Sequence, residues 1–199
     1  MKILLIHAHP KPSTSIAQTA MLKASRNVEG ITHHDLYAAY PDFAIDVKRE
    51  QQLLLDHDLI IIQHPFYWYS TPAIIKEWQD LVLDYGWAYG PGGNKLHGKF
   101  WLSAISTGGD ETVYGAKKRN RFSVSQFLAP LNQTAHLCGM AFLEPFIIYG
   151  ARQHTSGELA IACNEWENLL ITWRDEKINP MKHLAKDCAL PANFKKEAK

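Results

Sequence analysis

The sequence predicts an α/β domain: a doubly wound, five-stranded parallel sheet of order 2-1-3-4-5 with helices on both faces. Three observations carry that expectation. Short apolar, β-rich runs alternate with capped helical segments, the pattern of strands joined by helical crossovers. The first and third runs, Ile3-Leu4-Leu5-Ile6 and Leu59-Ile60-Ile61-Ile62, are apolar without alternation, as strands covered on both faces must be. The 199 residues, 46% apolar and 21% charged, suit one packed core rather than a disordered chain.

The first strand is expected over Lys2–Ala8. Ser15-Ile16-Ala17-Gln18 has capping-box spacing and opens a helix to about Asn27, with Gly30 after it. A second strand spans Ile31–Leu36, and Asp46 can cap a helix over Val47–Asp56. The third strand covers Leu59–Gln63. Thr71-Pro72 then places a capping residue before a first-turn proline, for a helix over Ala73–Leu83. The fourth strand is Phe100–Ser106, and a helix from about Val124 to Cys138 must kink or split at Pro130. The fifth strand is Ala141–Tyr149, and Thr155-Ser156-Gly157-Glu158 is a further capping box ahead of a helix over Leu159–Trp173. Leu53, Leu54, Ile74, Trp78, Leu81 and Trp166 read as core or dimer surface. Residues 1–173 then form a flavodoxin-like domain. Residues 174–199 are a polar, basic C-terminal extension, packed on the surface or on a partner.

Charge excludes one class of function. With 21 Lys+Arg against 20 Asp+Glu, the chain lacks the footprint of a uniformly basic nucleic-acid binder. The cancellation is uneven, however. Lys117, Lys118, Arg119 and Arg121 cluster, and residues 174–199 hold seven basic side chains against four acidic. Cys138, Cys163 and Cys188 form neither a disulfide framework nor a CxxC pair, which suits a reducing cytoplasm. His33, His34, His57, His97, His136, His154 and His183 fall in no metal-ligand spacing, so no metal is expected. The apolar stretch Leu59–Ile75, which holds no Asp, Glu, Lys or Arg, is interrupted by Gln63, His64, Pro65 and Pro72. It is unsuited to spanning a bilayer, and no signal-peptide pattern opens the chain. A soluble, cytoplasmic protein is the expectation.

Ligands of such sheets bind beyond the carboxyl ends of the strands, where the strand order reverses. The loops after strands one, three and four are therefore the informative ones. After strand one, Ser13-Thr14-Ser15 leads into a helix N-terminus, which suits a phosphate but equally describes a plain N-cap. The loop lacks G-x-G-x-x-G and G-x-x-x-x-G-K-[ST], so Rossmann and Walker-type nucleotide binding are unsupported. After strand three, Phe66-Tyr67-Trp68-Tyr69 puts four aromatics in one loop. They read as walls for a flat ring system or as a dimer interface, and the two are compatible. After strand four, Ser106-Thr107-Gly108-Gly109 lets backbone amides approach a ligand closely, though paired glycines also make ordinary turns. Phosphate site, aromatic wall and amide edge together describe a flavin mononucleotide site.

The residues then become recognisable. Ala8-His9-Pro10, Asp35-Leu36-Tyr37, Tyr40-Pro41-Asp42-Phe43, Gln63-His64-Pro65, Trp68-Tyr69-Ser70, Pro72 to Trp78, Thr107-Gly108-Gly109 and Glu144-Pro145-Phe146 occur in order. The chain resembles the flavodoxin-like NAD(P)H:quinone oxidoreductases. Within them it is similar to the Kef-type ancillary proteins of glutathione-gated potassium efflux, through Pro91-Gly92-Gly93-Asn94 and Asn120-Arg121-Phe122. The resemblance implies that His9 and Ser15-Ile16-Ala17-Gln18 hold a flavin's ribityl phosphate, and that Pro65-Phe66-Tyr67-Trp68 lies beside its ring. It implies that Ser106-Thr107-Gly108-Gly109 and Tyr114 face the ring's N1/O2 edge, with Gly108, Gly109 and Tyr114 as the catalytic set. FMN is preferred to FAD, because no adenine-binding features can be assigned. The implied reaction is ping-pong: NAD(P)H gives hydride to flavin N5 and leaves, and a quinone then accepts hydride.

One departure stands out. Many relatives carry a histidine where this chain has Arg119 or Asn120, and that histidine assists charge balance during reduction. The basic cluster around it is either a solvated loop or an attractor of anionic NAD(P)H, with Arg119 and Arg121 as candidate substrate contacts. The resemblance also implies a homodimer. Its competing implication is a regulatory subunit that activates a membrane potassium/proton antiporter, peripheral at the inner membrane through that partner.

Overall fold

The computed structural model describes residues 1–175, 179–186, 188, 190–192 and 194; the rest of the expected 174–199 extension lies outside the described residues. Strands β1 (Ile3–His7), β2 (Ile31–Asp35), β3 (Leu59–Pro65) and β4 (Phe100–Ser106) are parallel. Ile3 is paired to both Ile31 and Leu59, and Leu59 to Phe100. With β5 (Ala141–Phe142) beside β4, the sheet order is β2-β1-β3-β4-β5, as the sequence predicts.

The alternation of side chains along a strand divides the core in two. Ile3, Leu5, Leu59, Ile61 and Leu102 pack under α1 (Ile16–Arg26) and α7 (Ser156–Arg174) through Met21, Trp166, Leu170 and Trp173. Leu4, Ile6, Ile60, Ile62 and Trp101 pack under α3 (Val47–Leu55) and α4 (Ala73–Val82) through Leu54, Ile74, Trp78 and Val82. Both faces are covered, which explains the uninterrupted apolar runs of β1 and β3. Leu81, by contrast, is 40% exposed.

Three expectations need correction. The fifth strand is two: β5 (Ala141–Phe142) pairs with Phe100 and Trp101, and β6 (Phe146–Ile148) with Ala104 to Ser106. Pro145 has no N–H for a ladder, and part of the extension fills the gap. Glu144 N donates to His183 O (2.8 Å) and Ala185 N to Phe142 O (3.1 Å). The helix of residues 124–138 splits at Pro130, as expected, into α5 (Val124–Phe127) and α6 (Ala129–Leu137), with Pro130 in the first turn of α6, where a missing N–H is tolerated. Thr71 does not cap α4. Pro72 holds the cap position, and Thr71 lies one residue too early. Finally, the Ser15–Gln18 box is half formed: Ser15 accepts from Gln18 N, but the Gln18 side chain turns inward.

Asp46 caps α3 and Thr155 with Glu158 completes the box of α7, both as predicted. Strand β2 ends earlier than expected because Asp35 caps a short helix, α2 (Leu36–Ala39), by accepting from Ala38 N. Among the described residues, no helix is long and apolar enough to cross a membrane.

Candidate functional site

Three loops converge beyond the carboxyl ends of β1, β3 and β4 around a cleft of about 260 Å3. At one end lies the start of α1. A single 3-10 turn, Pro12–Thr14, delivers the chain to Ser15, whose Oγ accepts from Gln18 N (3.3 Å). The amides of Ile16 and Ala17 open the helix and have no carbonyl behind them to bond. Both residues line the cleft, as do Thr14 and Ser15. His9 closes this end. Its Nδ1 accepts from Lys11 N (3.0 Å), so its proton sits on Nε2, 3.4 Å from the Tyr67 hydroxyl. Burial, helped by nearby His7, holds His9 below the usual imidazole range and keeps it neutral.

The wall after β3 is built from Pro65, Phe66 and Tyr67. Phe66 N donates to Ser106 O (2.9 Å), which locks this loop to the end of β4. The chain then reverses within four residues, Ser70 N bonding to Tyr67 O (2.9 Å). Trp68 and Tyr69 sit at the centre of that turn with φ of 49° and 65°. Left-handed backbone costs a non-glycine residue about 1–2 kcal/mol, so the turn is strained, and it leaves Trp68 93% exposed beside the cleft. Below the wall, burial pushes His64 down to about 4, and its Nδ1 lies 2.9 Å from Pro65 O.

The edge after β4 is fixed by its carbonyls. Gly109 O accepts from Thr107 Oγ1 (2.7 Å) and Gly150 N (2.8 Å), and Ala151 N donates to Thr107 O (2.8 Å). Neither Gly108 N nor Gly109 N donates to a protein acceptor among the described residues. A Cβ on Gly109 would stand 2.7 Å from Val113 Cγ2, so any side chain there would force Val113 to shift. The same position lies 3.5 Å from the Tyr114 ring and 3.6 Å from an Arg119 guanidinium nitrogen. Asn120 N bonds to Val113 O and Gly115 N to Phe122 O (both 2.9 Å). That closure folds the 110–122 loop back and carries Arg119 over Gly109.

Tyr114 packs against Phe66, Phe127 and Tyr149, with ring centroids 6.4, 6.5 and 5.9 Å away. Burial raises its hydroxyl above the ordinary range, with the Thr107 side chain working against that shift, and its Oη therefore stays protonated at neutral pH.

Of the residues singled out in the sequence, His9, Ser15, Ile16, Ala17, Pro65, Phe66, Tyr67, Ser106, Thr107 and Gly108 form the cleft wall. Gly109, Tyr114 and Arg119 meet one another next to it. Trp68 faces solvent, Gln18 is buried beneath the cleft, and Arg121 lies over its neighbour Phe122 at 5.9 Å. Two residues escaped sequence reasoning. Arg152 lines the cleft from the segment after β6, a loop the strand-order rule does not single out. Phe127 is the hub of the aromatic group, stacked on Tyr69 at 4.8 Å and packed against Phe66 and Phe122. The four-residue helix α5, opened by a Ser123–Gln126 capping box, brings it there.

Residues 1–170 match the family model described as "Flavodoxin-like fold". The chain belongs to the flavodoxin-like family. Within this family it is 47% identical over 168 residues to the glutathione-regulated potassium-efflux system ancillary protein KefG of Enterobacter sp. (strain 638), covering 83% of this chain and 92% of that one. Among solved structures, it superposes on general stress protein 14 of Treponema denticola in complex with FMN with a TM-score of 0.79. Identity there is 36%, over 85% of this chain and 98% of that one. An NADPH-quinone reductase from P. pentosaceus gives a TM-score of 0.78 at 28% identity, over 85% and 98%.

Proposed function

We propose that this chain is a flavin-dependent NAD(P)H:quinone oxidoreductase that binds FMN in the cleft. One observation carries the reading: an open helix N-terminus, an apolar ring wall and two unengaged glycine amides meet at one sheet edge. The residues fit the group. A Cβ on Gly108 would meet no protein atom within 4 Å, so the cleft is open where a ligand must come close to backbone. Ser15, Ile16, Ala17 and Arg152 suit the phosphate, Pro65-Phe66-Tyr67 the flat rings, and the Gly108–Gly109 amides with Tyr114 the polar ring edge.

FMN supplies the hydride chemistry between NAD(P)H and a quinone. This chain's part is to orient the ring and stabilise charge. The Tyr114 hydroxyl, kept protonated by burial, donates to developing negative charge. Arg119, held over Gly109, puts a fixed positive charge where many relatives carry histidine. Purified protein is expected to be yellow, to release FMN identifiable by mass, and to oxidise NADPH with a soluble quinone. A colourless protein that takes up no added FMN overturns the reading.

Arg119 and its neighbours Lys117, Lys118 and Arg121 also give the entrance a positive field. The KM for NAD(P)H is expected to rise several-fold between about 50 and 300 mM salt, as screening shortens to below 10 Å. Arg119→Gln flattens that dependence; a KM indifferent to salt in the wild type removes the steering role.

A second reading rests on the name of the 47% identical relative, an ancillary protein of a potassium-efflux system. In it the chain regulates a membrane antiporter as a peripheral subunit, and redox turnover is secondary. Bound flavin without quinone turnover favours this reading. A homodimer is part of either proposal, and the solvent-facing Trp68 is the group its interface would cover.

A further inference from the structure

Beneath the cleft, polar side chains are sealed where a sheet core has no need of them. Gln18, Gln63 and His64 are fully buried and Ser106 is 7% exposed. Gln18 belongs to the first turn of α1. Its Nε2 donates to His64 O at the end of β3 (2.8 Å) and to Ser106 Oγ at the end of β4 (3.0 Å). Gln63 Nε2 closes the ring by donating to the Gln18 carbonyl (3.1 Å) and to Gln18 Oε1 (3.0 Å).

One carboxamide thereby uses both N–H groups and its oxygen to join the three elements whose ends build the cleft. Few side chains can do so. An apolar residue strands a carbonyl, a hydroxyl and an amide in the core, and a carboxylate has no donors to give. The links continue into the wall itself. Ser106 lines the cleft, its carbonyl accepts from Phe66 N (2.9 Å), and His64 Nδ1 lies against Pro65 O. Gln18 itself is not part of the wall.

We propose that Gln18 is a positioning residue, a buried strut that sets the spacing of phosphate cradle, ring wall and glycine edge without touching the ligand. The proposal rests on the flavin reading above. It makes a distinctive demand: losing the strut must weaken binding of the ring portion as well as of the phosphate.

The test compares FMN with riboflavin, which lacks the phosphate, by quenching of flavin fluorescence, together with the midpoint potential of bound FMN. Gln18→Met is expected to weaken both ligands about tenfold, the size usual for losing hydrogen bonds that orient ligand-holding groups, and to shift the potential. Ser106→Ala moves both affinities the same way by less, and adds little on top of Gln18→Met because the two share a link. Ser15→Ala, which touches the phosphate end, lowers FMN affinity more than riboflavin affinity. If Gln18→Met weakens FMN but leaves riboflavin untouched, Gln18 is a phosphate contact and the strut is wrong. A lowered melting temperature with unchanged affinities and potential makes it an ordinary core residue, which also overturns the proposal. Should Gln18→Met fail to fold, Ser106→Ala decides: riboflavin affinity equal to wild type sinks the strut. A wild-type protein that binds neither flavin overturns the flavin reading and the strut with it, an outcome distinct from tight binding with an inert Gln18.

Discussion

Glu50→Ala is expected to destabilise the protein by about 3–5 kcal/mol, the cost of removing one member of a buried charged group. Glu50 lies in α3 with no exposed surface, a place where a carboxylate persists only if every lone pair is engaged. Here it is surrounded by donors. Tyr40 Oη donates to Oε1 (2.6 Å), Trp78 Nε1 donates to Oε2 (2.8 Å), and His34 Nε2 stands 2.8 Å from Oε1. The carboxylate thus ties α3 to β2, to the residue after α2 and to α4, the layer behind the aromatic loop. Alanine leaves a cavity and strands those donors, so urea unfolding should show a lower midpoint at unchanged slope. The pH dependence has a definite sign. Burial would raise the Glu50 carboxyl, but the bonds from His34 and Tyr40, the charge of His34 and the Trp78 bond hold it below the ordinary range. Its contribution is therefore complete above about 4.3, the unfolded carboxyl value, and is lost as pH falls through the lower native value. In Glu50→Gln that part of the acid limb disappears. An acid limb identical in the two proteins rules out Glu50 as its source.

Glu50 also shows where sequence reading stops. Nothing in Val47-Lys48-Arg49-Glu50 separates a buried carboxylate from a solvated one; the partners come from positions 34, 40 and 78. What was legible is what neighbours in sequence decide. The runs of β1 and β3 declare strands covered twice, and Asp46 and Thr155 sit immediately before the helices they cap. The order of the sheet follows, and with it the three loop ends that meet at the cleft. The family resemblance places Gln18 in the phosphate-holding segment, yet its side-chain amide bonds to residues 46 and 88 positions away. Phe127 and Arg152 were missed for the same reason. Their roles depend on where a short helix and a last loop come to rest, and no local pattern encodes that.

Tyr114→Phe is expected to slow reduction of bound FMN by NADPH roughly 100- to 1000-fold, the range for losing one preorganised donor worth about 2.7–4 kcal/mol. The loss should fall on the rate and not on binding, because the ring that phenylalanine retains keeps its packing on Phe66, Phe127 and Tyr149. Anaerobic stopped flow, following loss of flavin absorbance, separates the two by giving a limiting rate and an apparent Kd for NADPH. Two features of the site make the hydroxyl effective. Burial lifts its pKa above the phenol's ordinary range, so the proton is in place across neutral pH and the wild-type rate should show no inflection from this group below about 10. Arg119 stands over the same glycine, so charge that the hydroxyl meets by a hydrogen bond the guanidinium meets by its field. If the two act on one charge, Arg119→Gln must cost less in the Tyr114→Phe background than in the wild type, since groups that serve a single transition state are not additive. Equal costs in both backgrounds would place Arg119 at the entrance, acting on the arriving nicotinamide cofactor alone. A reduction rate unchanged in Tyr114→Phe removes Tyr114 from the chemistry and leaves the Gly108–Gly109 amides as the donors that face the ring edge.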